Sequence, residues 1–316
     1  MNDHLLPIHF APLQGYTDAV YRRAHARIFG GIETYYSPFV RIEHGEIRRR
    51  DVRDAEPGAN PGLHLIPQLI APKVDKAERI ISLFIEKGYR EVDINLGCPF
   101  PVLAKRHNGA GMLPYPEEVR TLLSTITGKH PDIRFSVKLR LGWERPEESL
   151  ALLPLFNELP LSHIILHPRL GKQQYKGETD PEGFKAFYEG CNKPLFYNGD
   201  LLTVEDIRSV TTRFPRLAGL VIGRGLLANP ALALEYRQGE PLSADEMARK
   251  VSRLHTEVYE SYREQLQGGE LQLLMKMKSF WEYLLPDGDR KSKKTIHKTT
   301  KLSNYQAAVS NLLAAL

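Results

Sequence analysis

The chain has 316 residues, enough for one large barrel or two ordinary domains, and its 42% hydrophobic and 26% charged residues are typical of a globular protein. No apolar run approaches the roughly 20 residues that span a bilayer, and the N-terminus has no signal-peptide pattern, so the expected location is the cytoplasm with no membrane contact. Two cysteines exclude a disulfide framework, no Cys/His spacing points to a metal, and the net charge of +5 is mild.

In chain order, residues 8–12 form a short apolar run ending in Pro12-Leu13-Gln14-Gly15, and Thr17-Asp18 opens a helical pattern through Phe29. Residues 34–39 are a second strand, and an Arg-rich segment follows at 41–53. A third strand covers 64–69, with Gln68 near its end and Pro72 stopping it. Asp75 is placed to N-cap an amphipathic helix over 75–87. The fourth strand, 91–96, breaks at Gly97 and Pro99 and leaves Cys98 on a stiff turn. On the turn alone, that thiol reads equally well as a positioned acid or nucleophile and as a buried structural cysteine. Behind it, Asn108-Gly-Ala-Gly supplies small residues where a backbone could closely approach a flat ligand.

Tyr115-Pro116-Glu117-Glu118 starts the next helix; 135–139 is the fifth strand, followed by a helix over 147–159. Residues 163–167 form the sixth strand, from which a polar loop reaches Tyr175. The seventh, 194–197, ends in Asn198-Gly199-Asp200, with Thr203 capping the helix that follows. The eighth, 219–222, ends in Gly223-Arg224-Gly225, and a helix runs from Leu226. Eight strands apolar on both faces, alternating with helices, predict an α/β fold, a (β/α)8 TIM barrel. A doubly wound sheet fits less well, because no Gly-x-Gly-x-x-Gly follows the first strand.

Composition changes near Gly239-Glu240-Pro241, and from Ser243 onward only helical patterns occur. The expected organisation is a barrel domain over 1–240 and a small C-terminal helical-bundle domain over 241–316. Arg290, Lys291, Lys293, Lys294, Lys298 and Lys301 crowd a stretch between its later helices, read either as a solvated face or as a polyanion contact.

The strand ends carry Pro12, Gln68, Asn95 with Cys98, Lys138 with Arg140, His167, Asn198 and Arg224, all of which a barrel gathers at one rim. Lys138 and Arg140, two apart, point the same way from an extended strand. The glycine turns after strands seven and eight stand where barrels often bind phosphate. Each residue has an ordinary structural explanation, yet core filling demands apolar side chains there. Together they point to a phosphorylated planar cofactor with a substrate stacked above it.

These residues resemble the tRNA-dihydrouridine synthases of bacterial type. The resemblance rests on Ala11-Pro-Leu-Gln-Gly-Tyr-Thr-Asp18, Asp93-Ile-Asn-Leu-Gly-Cys-Pro99, Val137-Lys-Leu-Arg-Leu-Gly142, Asn198-Gly-Asp200 and Ile222-Gly-Arg-Gly225, and extends to Met277-Lys-Ser-Phe-Trp-Glu-Tyr-Leu284. It implies an FMN-dependent barrel joined to a helical tRNA-binding domain, with NADPH as electron donor, reducing the C5=C6 bond of selected uridines. It implies that Cys98 is the proton donor and that Asn95, Arg140 and Tyr175 recognise the uracil. Pro12, Leu13, Gln68, Lys138, His167, Asn198, Gly199, Asp200, Gly223 and Arg224 would hold the flavin. Leu13 and Pro168 depart from the usual Met and Gly of the family, and Pro168 bears on the path of the loop carrying Tyr175. A monomer is expected. The rivals are a flavin barrel acting on a free pyrimidine or another small unsaturated substrate, and a non-catalytic RNA-binding protein.

Overall fold

A strand apolar on both faces is stable only when it has neighbours at both edges and cover on both sides, a requirement that a closed parallel barrel meets. The structure, a computed structural model, describes residues 5–315, so the outermost residues of the two expected domains, 1–4 and 316, lie outside the described residues. The barrel strands are β1 (Ile8–Phe10), β2 (Thr34–Tyr36), β3 (Leu65–Ile66 with Gln68–Leu69), β4 (Glu91–Leu96), β5 (Arg134–Gly142), β6 (Leu161–Leu170), β7 (Leu195–Tyr197) and β8 (Gly219–Ile222). Pro67 divides β3 because it has no N–H to give to a ladder. The first piece pairs with β2 and the second with β4, so the sheet closes on itself through β3. Every pairing within this sheet is parallel, which establishes the eight-stranded barrel.

Inside the barrel, His9 of β1, Tyr36 of β2 and His163 of β6 share hydrogen bonds through the Tyr36 hydroxyl, at 3.2 Å to His9 Nδ1 and 2.8 Å to His163 Nε2. Phe196 of β7 packs tilted against both imidazoles, with ring centres 4.6 and 5.0 Å away. Burial pushes His9 down to about 3 and His163 to about 4, so both rings are neutral at pH 7. His163 lies four residues before His167 on the same strand, hence on the same face and deeper. The interior is therefore a packed floor beneath the strand ends.

The chain forms two compact units: the described residues through Pro12 with Glu33–Asp200 and Thr211–Ile222, and Leu13–Ile32 with Leu201–Val210 and Gly223 onward. The first contains all the barrel strands. The second contains the helix Ala19–Ile28 and the end helices Ala244–Gln265, Gly269–Phe280, Arg290–Lys298 and Leu302–Ala314. Within it, the Asp18 carboxylate accepts from Tyr262 Oη and Lys276 Nζ, at 2.8 and 2.7 Å. Trp281, fully buried, donates to Tyr305 Oη at 2.9 Å, and His255 Nε2 meets the same hydroxyl at 2.7 Å.

Three local expectations differ from the structure. Lys73, not Asp75, is the N-cap of the helix Val74–Glu86, and Asp75 sits inside the first turn, where its charge faces the helix dipole. The helix expected over 147–159 is two, Glu147–Leu150 and Leu153–Glu158, because Pro154 cannot continue a turn and opens the second. The basic stretch between the later helices is itself the helix Arg290–Lys298. Among the described residues no helix is long and apolar enough to cross a membrane.

Candidate active site

Alternation along β4 sends Val92, Ile94 and Leu96 to one face and Asp93 and Asn95 to the other, into the barrel. Asn95 then folds the chain back on itself: its Oδ1 accepts from the N–H groups of Gly97 at 3.0 Å and Cys98 at 2.8 Å. A side-chain amide that closes a turn in this way fixes the residue it bonds, here Cys98. Cys98 O in turn accepts from Ala110 N at 3.0 Å. Gly109, at φ 57°, lies so close that a Cβ there would come within 2.7 Å of Cys98 O. Gly109 thus accommodates the protein's own cysteine turn, and Gly111 lies as close to the backbone of Ala104.

Beneath the turn runs a chain of buried polar groups. Asn95 Nδ2 donates to Gln68 Oε1 at 2.7 Å, Gln68 Nε2 donates to Asp93 Oδ2 at 2.7 Å, and Ser136 Oγ donates to Asp93 Oδ1 at 2.6 Å. Lys138 and Arg140 follow Ser136 at alternate positions of β5, with Asn95 opposite Lys138 and His167 opposite Arg140 in the ladders. Arg140 is almost fully buried; its Nε donates to Gly97 O at 3.0 Å and its Nη1 to Leu170 O and Gln174 O at 3.0 and 2.6 Å. Its guanidinium also lies 5.3 Å from the ring centre of Tyr175, a side chain 48% exposed.

The other rim residues of this unit sit as follows. Pro12 is partly exposed just beyond β1. His167 Nε2 meets Arg169 Nη1 at 3.2 Å, and its ring is 6.4 Å from that of Tyr175. Pro168 lies within β6 and leaves the strand unbroken to Leu170, and its carbonyl accepts from Asp180 N. Arg169, 2% exposed, forks onto Asp200 and donates to Gly177 O at 2.7 Å. Its Nε is, among the described residues, buried with no hydrogen-bond partner. Asn198 Nδ2 donates to Val221 O at 2.6 Å, joining β7 to β8. Gly199 has no room for a side chain, since a Cβ would meet Tyr197 Oη at 2.5 Å. Leu13, Gly223 and Arg224 belong to the second unit: Leu13 N donates to Thr17 Oγ1 at 2.8 Å, and Gly223 is the N-cap of the helix Arg224–Ala228.

The charges are mutually adjusted. Burial, and then repulsion from Arg140, lowers the Lys138 ammonium to about 8, against the pull of Asp93 and Cys98. Burial lowers Arg140 to about 10, and it stays charged. Burial pushes the Cys98 thiol up, opposed by the Phe100 N–H and by Arg140 and Lys138. At neutral pH the site therefore holds a protonated thiol beside two cations, an arrangement suited to delivering a proton where negative charge develops.

Three residues of this network escaped the sequence reading as working parts: Asp93, Ser136 and Arg169. A signal existed for each, namely spacing by two from Asn95, Lys138 and His167 respectively, which places them on the same inward face.

A family profile described as Dihydrouridine synthase (Dus) matches residues 9–314. The tRNA-dihydrouridine(16) synthase of Neisseria meningitidis serogroup B is 28% identical over 237 residues, covering 73% of this chain and 71% of that protein. The tRNA-dihydrouridine synthase B of Pasteurella multocida is 26% identical over 229 residues, covering 71% of this chain and 67% of that protein. Among solved structures, the old yellow enzyme from Trypanosoma cruzi superposes with a TM-score of 0.52 at 13% identity, covering 75% of this chain and 89% of that one, a likeness of fold.

Proposed function

The chain belongs to the dihydrouridine synthase family, and on that premise we propose that it reduces the C5=C6 bond of particular uridines in tRNA, with Cys98 as the proton donor. The observation that carries this reading is the Cys98 turn: a thiol kept protonated by burial, fixed by Asn95, with Lys138 and Arg140 close enough to act on its charge. The curated relatives are named for the same reaction on tRNA.

The residues present fit flavin mononucleotide. Gly199 is a partly exposed glycine at the end of β7, and the unpartnered Nε of Arg169 is a buried donor suited to an anionic or carbonyl oxygen. Gln68, Lys138 and His167 would line the ring, with Pro12 at its edge and Asn198, Gly199 and Asp200 toward its phosphate. Arg169 neutralises Asp200, so the carboxylate is no obstacle to an anion there. When bound, the flavin supplies hydride, drawn from a nicotinamide donor, for which the resemblance favours NADPH. Lys138 holds positive charge next to the ring, and Asn95 and Tyr175 orient the uracil. Arg140, its Nε and Nη1 given to backbone oxygens, faces the uracil with Nη2 and its charge, beside Tyr175. Cys98 Sγ gives its proton to C5 of the uracil.

A stacked uridine cannot reach residues set at the strand ends, so the base must turn out of the tRNA into the site. The helices beyond residue 240, with the exposed cations of Arg290–Lys298, are the part we assign to the tRNA backbone. The protein would work as a cytoplasmic monomer. The test is to reduce the purified protein with NADPH and offer it either free uracil or unmodified tRNA under anaerobic conditions. The expected result is a yellow protein reoxidised by tRNA and not by uracil, leaving dihydrouridine in the tRNA. A colourless protein, or one reoxidised equally by uracil, overturns the proposal.

A further inference from the structure

We propose that Asp93 is a positioning residue for the Cys98 turn, acting through Gln68 and Asn95, each of whose amides has only one useful orientation. Asp93 is fully buried within β4, five residues before Cys98. Its two oxygens accept from two different strands, Ser136 Oγ of β5 at 2.6 Å and Gln68 Nε2 of β3 at 2.7 Å.

The direction of these bonds matters. A side-chain amide has a donor end and an acceptor end of nearly equal size, so packing alone scarcely distinguishes its two orientations. An ionised carboxylate removes the ambiguity, because it only accepts. Facing Asp93, Gln68 must present its NH2, and its oxygen then points at Asn95. Asn95 must answer with its own NH2, which leaves its oxygen turned toward the N–H groups of Gly97 and Cys98. Reversing any one amide would set donor against donor at the next link, so polarity fixed at Asp93 is transmitted to the cysteine backbone. Burial pushes the Asp93 carboxyl up to about 6, while Ser136, Gln68 and Lys138 favour its charged form, so it is mainly ionised at neutral pH. Tyr36 of β2 also feels its charge.

The inference rests on the proposed role of Cys98 for its functional meaning, but its test does not need turnover. Hydrogen exchange at the Gly97 and Cys98 amides reads the two bonds to Asn95 directly. The full-length protein is compared with Asp93→Asn, Gln68→Leu and the double variant, a double-mutant cycle on one relay. Asp93→Asn keeps the shape and lets either end of the new amide face Gln68. The expected result is a loss of roughly threefold to tenfold in protection at both amides, the scale of one weakened hydrogen bond. Gln68→Leu should cause a similar loss, and Asp93→Asn should add nothing once Gln68 is gone. Unchanged protection in Asp93→Asn, or the same additional loss with and without Gln68, overturns the relay. Should Asp93→Asn not fold, Gln68→Leu alone decides, since protection that survives it is incompatible with transmission through that amide. In the same variants kcat for dihydrouridine formation should fall with KM for tRNA unchanged. A wild-type protein that makes no dihydrouridine would sink the proposed function and leave the exchange result standing.

Discussion

Arg140 Nε donates to Gly97 O across 3.0 Å, and Nη1 of the same guanidinium reaches Leu170 O and Gln174 O. One buried cation thereby ties the turn that carries Cys98 to the loop that carries Tyr175. The planar fork makes this possible, since its donors diverge in fixed directions toward oxygens contributed by two loops. Cys98, the proposed proton donor, and Tyr175, proposed to orient the base, are consequently set by a shared support.

Arg140→Lys should therefore behave as a disruptive substitution. A single ammonium on a flexible stem reaches one of those carbonyls well and leaves buried oxygens without donors. The expected cost is on the order of 2–4 kcal/mol of unfolding free energy, together with a large loss of kcat. Urea denaturation monitored by tryptophan fluorescence gives the first quantity. A midpoint equal to wild type would show that the three bonds contribute little.

The pH dependence of turnover should identify Lys138 as the group limiting activity in alkali. Its pKa is lowered to about 8, so its positive charge is present at pH 7 and is lost as pH rises through 8. Cys98 is pushed up by burial and remains protonated over that interval. The rate should begin to fall near pH 8, and Lys138→Arg, whose charge persists to higher pH, should move the fall upward at reduced absolute rate. A profile in which Lys138→Arg keeps the wild-type limb would assign that limb to another group.

Asp93 should cost stability while it serves the site. Its carboxyl titrates at about 6 in the folded chain, against an ordinary value of 3.8. The folded state then holds the proton more tightly than the unfolded one, so this group's contribution is fully present below pH 3.8 and is lost as pH rises through about 6. The loss is on the order of 3 kcal/mol by linkage. Relative to wild type, Asp93→Asn should become progressively more stable between pH 4 and pH 7 (a range set by those two values). Thermal melts of both proteins across that range measure it, and a constant difference in Tm would contradict the shift.

What the sequence made legible, and what it hid, follows from the reach of each signal. All eight strands were visible because runs such as Gly219–Ile222 are short, apolar and bounded by turn residues. Positions at strand ends were visible for the same reason, and Cys98, Asn95 and Lys138 do cluster in the first unit. Roles were harder to read where a residue's partners lie far along the chain. The second task of Arg140 was hidden: its Nε and Nη1 meet oxygens at Gly97, Leu170 and Gln174, which no local pattern relates to it. Asp200 likewise sits in a phosphate-type glycine turn, but the residue that neutralises it, Arg169, lies 31 positions earlier. The glycines after Asn108 announced a close approach without saying that the backbones of Cys98 and Ala104 lie against them.

The cations of the helix Arg290–Lys298 should separate into two kinds on mutation. Lys293 is half-buried, and its Nζ donates to Leu284 O and Leu285 O at 3.0 Å each, closing a bend where Leu285 adopts φ 49°. Lys291, Lys294 and Lys298 are exposed, three and four residues apart, and so share one side of the helix, while Ser292 and Ile296 are buried. Charge reversal of Lys294 and Lys298 together should weaken tRNA binding, and the slope of log K against log salt should shrink by about 1 for each phosphate contact removed. The melting temperature should stay near wild type, because neither side chain holds the fold. Lys293→Glu should do the opposite, losing roughly 1–2 kcal/mol of stability as two backbone oxygens lose their donor and changing the salt slope little. Equal effects of all three on the salt slope would mean that Lys293 leaves its carbonyls when RNA arrives, and that the helix presents a broader contact face than its free geometry offers.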